Sequence, residues 1–384
     1  MEFSGTSGVV FRKLDPLKSE IRLLELQPAD GIDQPPVCRL IDVALTDKLE
    51  YLAIACSHSE TSSEHIFINS KKVTVPATLG QVLRHVRAVF LDSSAREDRS
   101  RSPNKEKKGP PNWLVQAMKN VRSIFPDPQK GRYEGDGPGT LLIWLEPLCI
   151  NRRNPQETAQ QLTHMAMVYR SAQIVVGWLG LKSELTDVAL ETLQQVEAVF
   201  PPHFGEPEDR KLHPENYAPQ HQWLQKIDYL WEHGLDGPYY PALLDFTERP
   251  LFHRTWLIDE IAMSRYPAFL LGDRIVSWKQ VITLNRLLEE LKDNESAVFP
   301  PGLRPVAQSW PLGTIYTMLK HYEERKRKEE EEEYVETGVL REFEMKKQRE
   351  QAIEIAGAGE QAHSEMRREK ERQKSIATGI EWER

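Results

Sequence analysis

Two carboxylates, Glu146 and Glu260, are the residues of this chain best placed to do chemistry. Glu146 closes the apolar run 141–145, where a carboxylate either pairs with a cation or stands at the mouth of a site. Glu260 follows Trp256 by four positions, so the two share one helical face. A Glu beside a core-facing Trp lies at a cleft or pairs with a cation such as Arg254. A carboxylate held at a cleft stabilises positive charge developing on a substrate. Ser57 and His58 follow directly on the apolar run 49–56, and His58 reads more readily as a loop residue than as a base. Cys149 sits in an apolar setting without an identifiable base, which describes an inert buried thiol. The chain has no HExxH, P-loop or GxGxxG pattern, so metalloprotease, nucleotide-kinase and Rossmann-oxidoreductase readings have no support.

The elements that must position these residues are legible from periodicity. Residues 21–26 form a short strand-like run, and 49–56 is nearly continuous in apolar residues, as in a strand buried on both faces. The runs 66–68 and 73–75 flank Asn69-Ser70-Lys71-Lys72 and predict a β-hairpin. Residues 78–90, apolar at 79, 82, 83, 86, 89 and 90, predict an amphipathic helix. After a strand over 141–145, Asn154-Pro155-Gln156-Glu157 supplies a cap, a Pro at the first helical position and a carboxylate at the third. A second strand over 174–179 stops at Gly180. Strand, helix and apolar strand make a βαβ unit with parallel strands and a right-handed crossover. Ligands of such sheets bind beyond the carboxyl ends of the strands, so Ser57, His58, Glu146 and Gly180 should gather on one edge. A helix over 184–200, an irregular stretch over 201–221, a helix near 254–264 and a strand near 268–272 follow.

The 384 residues include nine Trp and are 39% hydrophobic, enough for a core, yet 28% are charged. A net charge of -8 argues against broad nucleic-acid binding. Cys38, Cys56 and Cys149 are three, widely spaced and without a CxxC pair, so neither a metal knuckle nor a disulfide framework is readable. The N-terminal residues lack the apolar core of a signal peptide and no run is long enough to span a bilayer, which predicts a cytoplasmic protein. Residues 92–112 are polar, basic and aperiodic, as in a surface insertion. From 315 to 384 Glu, Lys and Arg dominate, which predicts a charged helical tail or a weak coiled coil.

Three blocks resemble the heterokaryon-incompatibility (HET) family of filamentous fungi, over residues 11 to about 280. Residues 51–59, YLAIACSHS, align with Y-x-A-L-S-Y-V-W-G. Residues 144–151, WLEPLCIN, are similar to W-I-D-A-x-C-I-N-Q, and the likeness continues through Gln160, Gln161, Met165, Tyr169 and 176–180. Residues 249–260, RPLFHRTWLIDE, are similar to R-P-W-F-x-R-x-W-V-x-Q-E. Ala55, Cys56, His58 and Ser59 replace the Ser, Tyr, Trp and Gly of the first block. Glu146 stands for Asp, Arg152 for Gln and Asp259 for Gln, whereas Trp256 and Glu260 are kept. The HET family in turn is remotely similar to Toll/interleukin-receptor (TIR) domains, some of which cleave NAD.

The resemblance implies an α/β fold, a flavodoxin- or TIR-like, mostly parallel sheet flanked by helices. The HET-like domain would run over 11–310, with insertions at 92–112 and 181–245 and the tail at 315–384. It implies an effector of non-self recognition and programmed cell death, whose enzymatic form is NAD hydrolysis with Glu260 and Glu146 catalytic. Ser57, His58 and Trp256 would then contact the nucleotide, with NAD as substrate and no resident cofactor or metal. The alternative is a catalytically inactive adaptor acting through other protein domains or self-association.

Overall fold

The structure is a computed structural model that describes residues 9, 11–15, 18–46, 49–57, 62–91, 141–205, 209–219, 221–230, 237–254, 260–261, 264, 266–292, 324 and 327–328. The expected insertion at 92–112 and most of the charged tail lie outside these residues. The chain divides into two compact units, Met1–Tyr322 and Glu323–Arg384. Of the second, Glu324, Arg327 and Lys328 are helical and exposed.

The first unit is α/β, built on a nine-stranded sheet ordered β5-β4-β2-β1-β6-β3-β7-β8-β9. The strands are β1 (Glu20–Leu26), β2 (Val37–Ala44), β3 (Leu52–Ala55), β4 (Ser63–Ile68), β5 (Lys71–Pro76), β6 (Leu141–Leu145), β7 (Ile174–Gly180), β8 (Pro267–Leu271) and β9 (Arg274–Ser277). Four neighbours, β6-β3-β7-β8, run parallel. The pairings of β1 with β2 and β6, of β4 with β5 and of β8 with β9 are antiparallel, while β2 and β4 are parallel. The expectation of a mostly parallel sheet is therefore corrected to a mixed sheet with a parallel centre. Strands β2, β5 and β9 follow their antiparallel partners through hairpins or short loops, which join such neighbours at little chain length.

The parallel centre reflects composition. Every residue of β3 is buried, as are six of the seven in β7, the pattern of strands covered on both faces. At the other end, Asn69 and Ser70 both have positive φ, 51° and 63°, as a tight primed hairpin turn requires. Helix α1 (Ala77–Phe90) buries Leu79, Val82, Leu83, Val86 and Phe90 against the sheet. Its Arg87 is fully buried and donates to the backbone carbonyls of Gly31, Ile32, Gln34 and Pro35, pinning the β1–β2 loop.

After β6 comes a single turn, α2 (Glu146–Cys149), and then α3 (Pro155–Ser171), whose N-cap Asn154 accepts from the amides of Gln156 and Glu157. The chain then returns as β7 with β3 between it and β6, so this βαβ unit spans a neighbour rather than pairing its own strands. Helices α4 (Thr186–Val199), α5 (Tyr239–Thr247) and α6 (Trp278–Lys292) pack together, α4 contacting both of the others. Between α4 and α5 the chain makes short helical turns around an aromatic group of Phe200, Phe204, Tyr217 and Trp223.

Candidate functional site

The parallel centre brings four strand ends to one edge. Ile54 pairs with Leu145 and Ala55 with Gly177, so Cys56 and Glu146 leave the sheet at nearly the same level. Gly180 ends β7 at φ 101°, and its carbonyl accepts from the amide of Gly272, just past β8, at 2.8 Å. The expected gathering of Ser57, Glu146 and Gly180 follows directly from parallel pairing. Ser57 is half-buried there. His58 and Trp256 lie outside the described residues.

Glu146 is buried, and its Oε1 accepts from Nη2 of Arg152, whose side chain is 48% exposed. The sequence left open a choice between ion pair and site mouth. The structure shows the ion pair, with the carboxylate inside and its partner reaching solvent. Glu260 is buried as well. The turn Pro250–His253, which precedes Glu260 in the chain, lies over β7. That packing depends on Gly177. A Cβ there would stand 2.7 Å from Leu251 Cδ2 and 2.8 Å from Phe269 Cδ1, so only a residue without a side chain lets the turn settle on the strand.

Both carboxylates act on the same two groups. The Cys56 thiol is driven well above its ordinary pKa, first by burial and then by the charges of Glu146 and Glu260, with Arg254 opposing. The Tyr169 hydroxyl, on α3, is raised by burial, then by the charge of Glu260 and hydrogen bonding with it, then by Glu146 and Cys56. Glu146, Glu260, Tyr169 and Cys56 thus form one buried cluster, with half-buried Arg254 beside it. Trp144 packs edge-on against Tyr169 with ring centroids 5.1 Å apart. Tyr51 donates to the carbonyl of Val168, which fixes α3 over the start of β3.

Sequence reasoning named the two carboxylates and did not name Tyr169, Arg152 or Cys56 as their neighbours. Tyr169 entered as part of the family likeness, and only the fold turns its hydroxyl toward Glu260. Cys149 is buried, its Sγ accepts from the Leu145 amide at 3.4 Å, and burial pushes its pKa up to about 12. A thiol so held stays protonated at neutral pH and is a poor nucleophile. Cys56 is protonated for the same reason. Among the described residues no group of three or more His, Cys, Asp or Glu is arranged to hold a metal ion, and no helix is long and apolar enough to cross a membrane.

The cluster can therefore stabilise cationic character in a substrate, through two carboxylates in a largely apolar surround whose low polarisability strengthens each charge. Comparison with known proteins bears on this stretch of chain. Residues 132–260 match the family described as heterokaryon incompatibility protein (HET). Heterokaryon incompatibility protein 6, OR allele, of Neurospora crassa is 22% identical over 292 residues, 69% of this chain and 35% of that relative. The chain thus spans about a third of the curated relative it matches. No solved structure matches. The matched segment contains β6, α3, β7 and both clustered carboxylates, and over it the chain is similar to the heterokaryon incompatibility (HET) family.

Proposed function

We propose that this chain acts in heterokaryon incompatibility as an effector of non-self recognition and cell death, by hydrolysing NAD at the edge where Glu146 and Glu260 meet. The family supports the biological role. The chemical reading is carried by one observation, the convergence of two buried carboxylates at the carboxyl ends of parallel strands. Cleaving NAD breaks the bond between ribose C1′ and the nicotinamide nitrogen. The bonding pair leaves with nicotinamide, which departs neutral, so no general acid is needed. A carboxylate stabilises the oxocarbenium-like ribose that remains. Water then adds at C1′ and gives up a proton, leaving ADP-ribose. Glu260 is the carboxylate assigned to the ribose, oriented by Tyr169, while Glu146 adds to the field from β6. Ser57, His58 and Trp256 are assigned to the nucleotide.

The Glu146–Arg152 ion pair favours a second reading, a non-catalytic adaptor, since a guanidinium partly cancels one of the two charges. The readings separate on nicotinamide release by the purified full-length chain. The enzymatic reading expects release by the wild type and a 10²–10³-fold loss, on the order seen when one electrostatic contact to a transition state is removed, in Glu260→Gln. An equally active Glu260→Gln would remove Glu260 from the site. A wild type that kills on expression in a fungal host without cleaving NAD would establish the adaptor.

A further inference from the structure

We propose that Arg152 is a binding residue for a phosphate-bearing ligand, held by Glu146 and handed from that carboxylate to the ligand's phosphate. The inference rests on the preceding reading of this edge as the ligand site.

Two other arginines among the described residues show what a structural guanidinium looks like in this fold. Arg22 is fully buried, bonded to Glu157 through both terminal nitrogens and to the carbonyls of Cys149 and Arg12. Arg87 is fully buried on four backbone carbonyls. Both are structural. The Arg152 side chain is 48% exposed and its hydrogen bond is to a single carboxylate oxygen, which leaves donors of its five-donor fork turned toward solvent.

The backbone beneath it is fixed. The Arg152 amide donates to the Ile150 carbonyl at 3.0 Å, and the Asn154 amide to the Asn151 carbonyl at 3.0 Å. Asn151 itself donates its amide to Glu157 Oε1, the carboxylate that clamps Arg22. A guanidinium with an exposed head on an immobilised turn loses little entropy when it binds, and its planar fork matches phosphate oxygens. Its present partner, Glu146, is buried at the strand edge, so the guanidinium already leans over the site. A phosphate arriving there competes with Glu146 for the same donors. Binding then has two effects: it anchors the anionic part of the ligand, and it returns Glu146 to full negative charge beside Glu260.

This competition is measurable without any turnover. Inorganic pyrophosphate is titrated into the full-length wild type, Glu146→Gln, Arg152→Gln, Arg152→Lys and the double variant Glu146→Gln/Arg152→Gln, at fixed ionic strength. Removing the internal competitor should tighten pyrophosphate binding by about tenfold in Glu146→Gln, the scale of one hydrogen bond to a charged group. Arg152→Gln should weaken it by about tenfold, Arg152→Lys by less, and the double variant should behave as Arg152→Gln. A purely structural ion pair would not produce the gain in Glu146→Gln, and if Arg152→Gln fails to fold that gain still decides the matter. Pyrophosphate affinity unmoved by both Glu146→Gln and Arg152→Lys, or no binding to any variant, overturns the assignment. Nicotinamide release measured in parallel keeps the two questions apart. The expected binding pattern without NAD cleavage sinks the enzymatic reading and spares Arg152, and NAD cleavage with indifferent pyrophosphate binding does the reverse.

Discussion

Glu157 occupies the third position of α3, where a carboxylate ordinarily folds back to close a capping box. Here it turns inward. Its oxygens take Arg22 at 2.5 and 3.0 Å and the Asn151 amide at 3.0 Å, so a residue legible as a helix-start signal has a tertiary task that no local pattern encodes. Removing one member of a buried ion pair strands the other, which typically costs about 3–5 kcal/mol. Glu157→Gln should lower unfolding free energy in urea by about 3 kcal/mol, Asp42 at 3.4 Å from Arg22 Nε limiting the loss. A change below about 1 kcal/mol would show that Asp42 alone suffices. The same contrast runs through the candidate site. Glu146 was legible because a carboxylate ending an apolar strand must have a reason to be there, and Glu260 because the family resemblance singles it out. Arg152 and Tyr169 were not, because an arginine in a turn and a tyrosine on an apolar helix face are unremarkable until the fold chooses their neighbours.

Among the elements, β7 carries the most constraint. Its Trp178 packs on His85 of α1, ring centroids 5.2 Å apart, and the preceding Gly177, on the opposite face, receives Leu251. Gly177→Ala should cost about 1–3 kcal/mol, as overpacking does, and should also lower nicotinamide release by displacing the turn that leads to Glu260. Melting and activity read on the same preparation check both; a variant that melts like the wild type would mean the turn yields without cost. The hairpin, α1, β6, the capped start of α3 and β7 were readable because each pairs a clean periodicity with a recognisable stop. Strand β2 was hidden. Its residues are mostly half-buried or exposed, so it shows neither alternation nor a continuous apolar run. Helix α6 was hidden as well, since the family likeness ends at about 280 and no helix was read directly after the strand near 268–272. The mixed sheet escaped because β2 and β9, which pair antiparallel with β1 and β8, were not read as strands.

For the whole molecule, buried acids set the response to pH. Cys38 and Cys149 are both pushed by burial to about 12, and burial raises Tyr51 and Tyr169 in the same direction. A raised folded-state pKa means that the neutral form supports the fold. That support is complete below the unfolded thiol value, near 8.5, and is lost as pH climbs from there toward 12. Stability should therefore fall above about pH 9, by up to about 1.4 kcal/mol per pH unit for each thiol. The Cys38→Ala/Cys149→Ala protein should show a shallower alkaline slope in urea unfolding, and parallel slopes would mean that the thiols titrate normally. The order of the strands has a different kind of consequence. Leu52 of β3 pairs on one side with Ile143 and on the other with Ile174, so both partners are synthesised about ninety or more residues later, at ribosomal rates of roughly 5–20 residues per second. For several seconds β3 is an apolar strand with two bare edges, exposed to any neighbouring nascent chain. The centre of the sheet thus closes only once β7 has been made, and until then the segment that ends in Cys56 is open to aggregation or to capture by a chaperone.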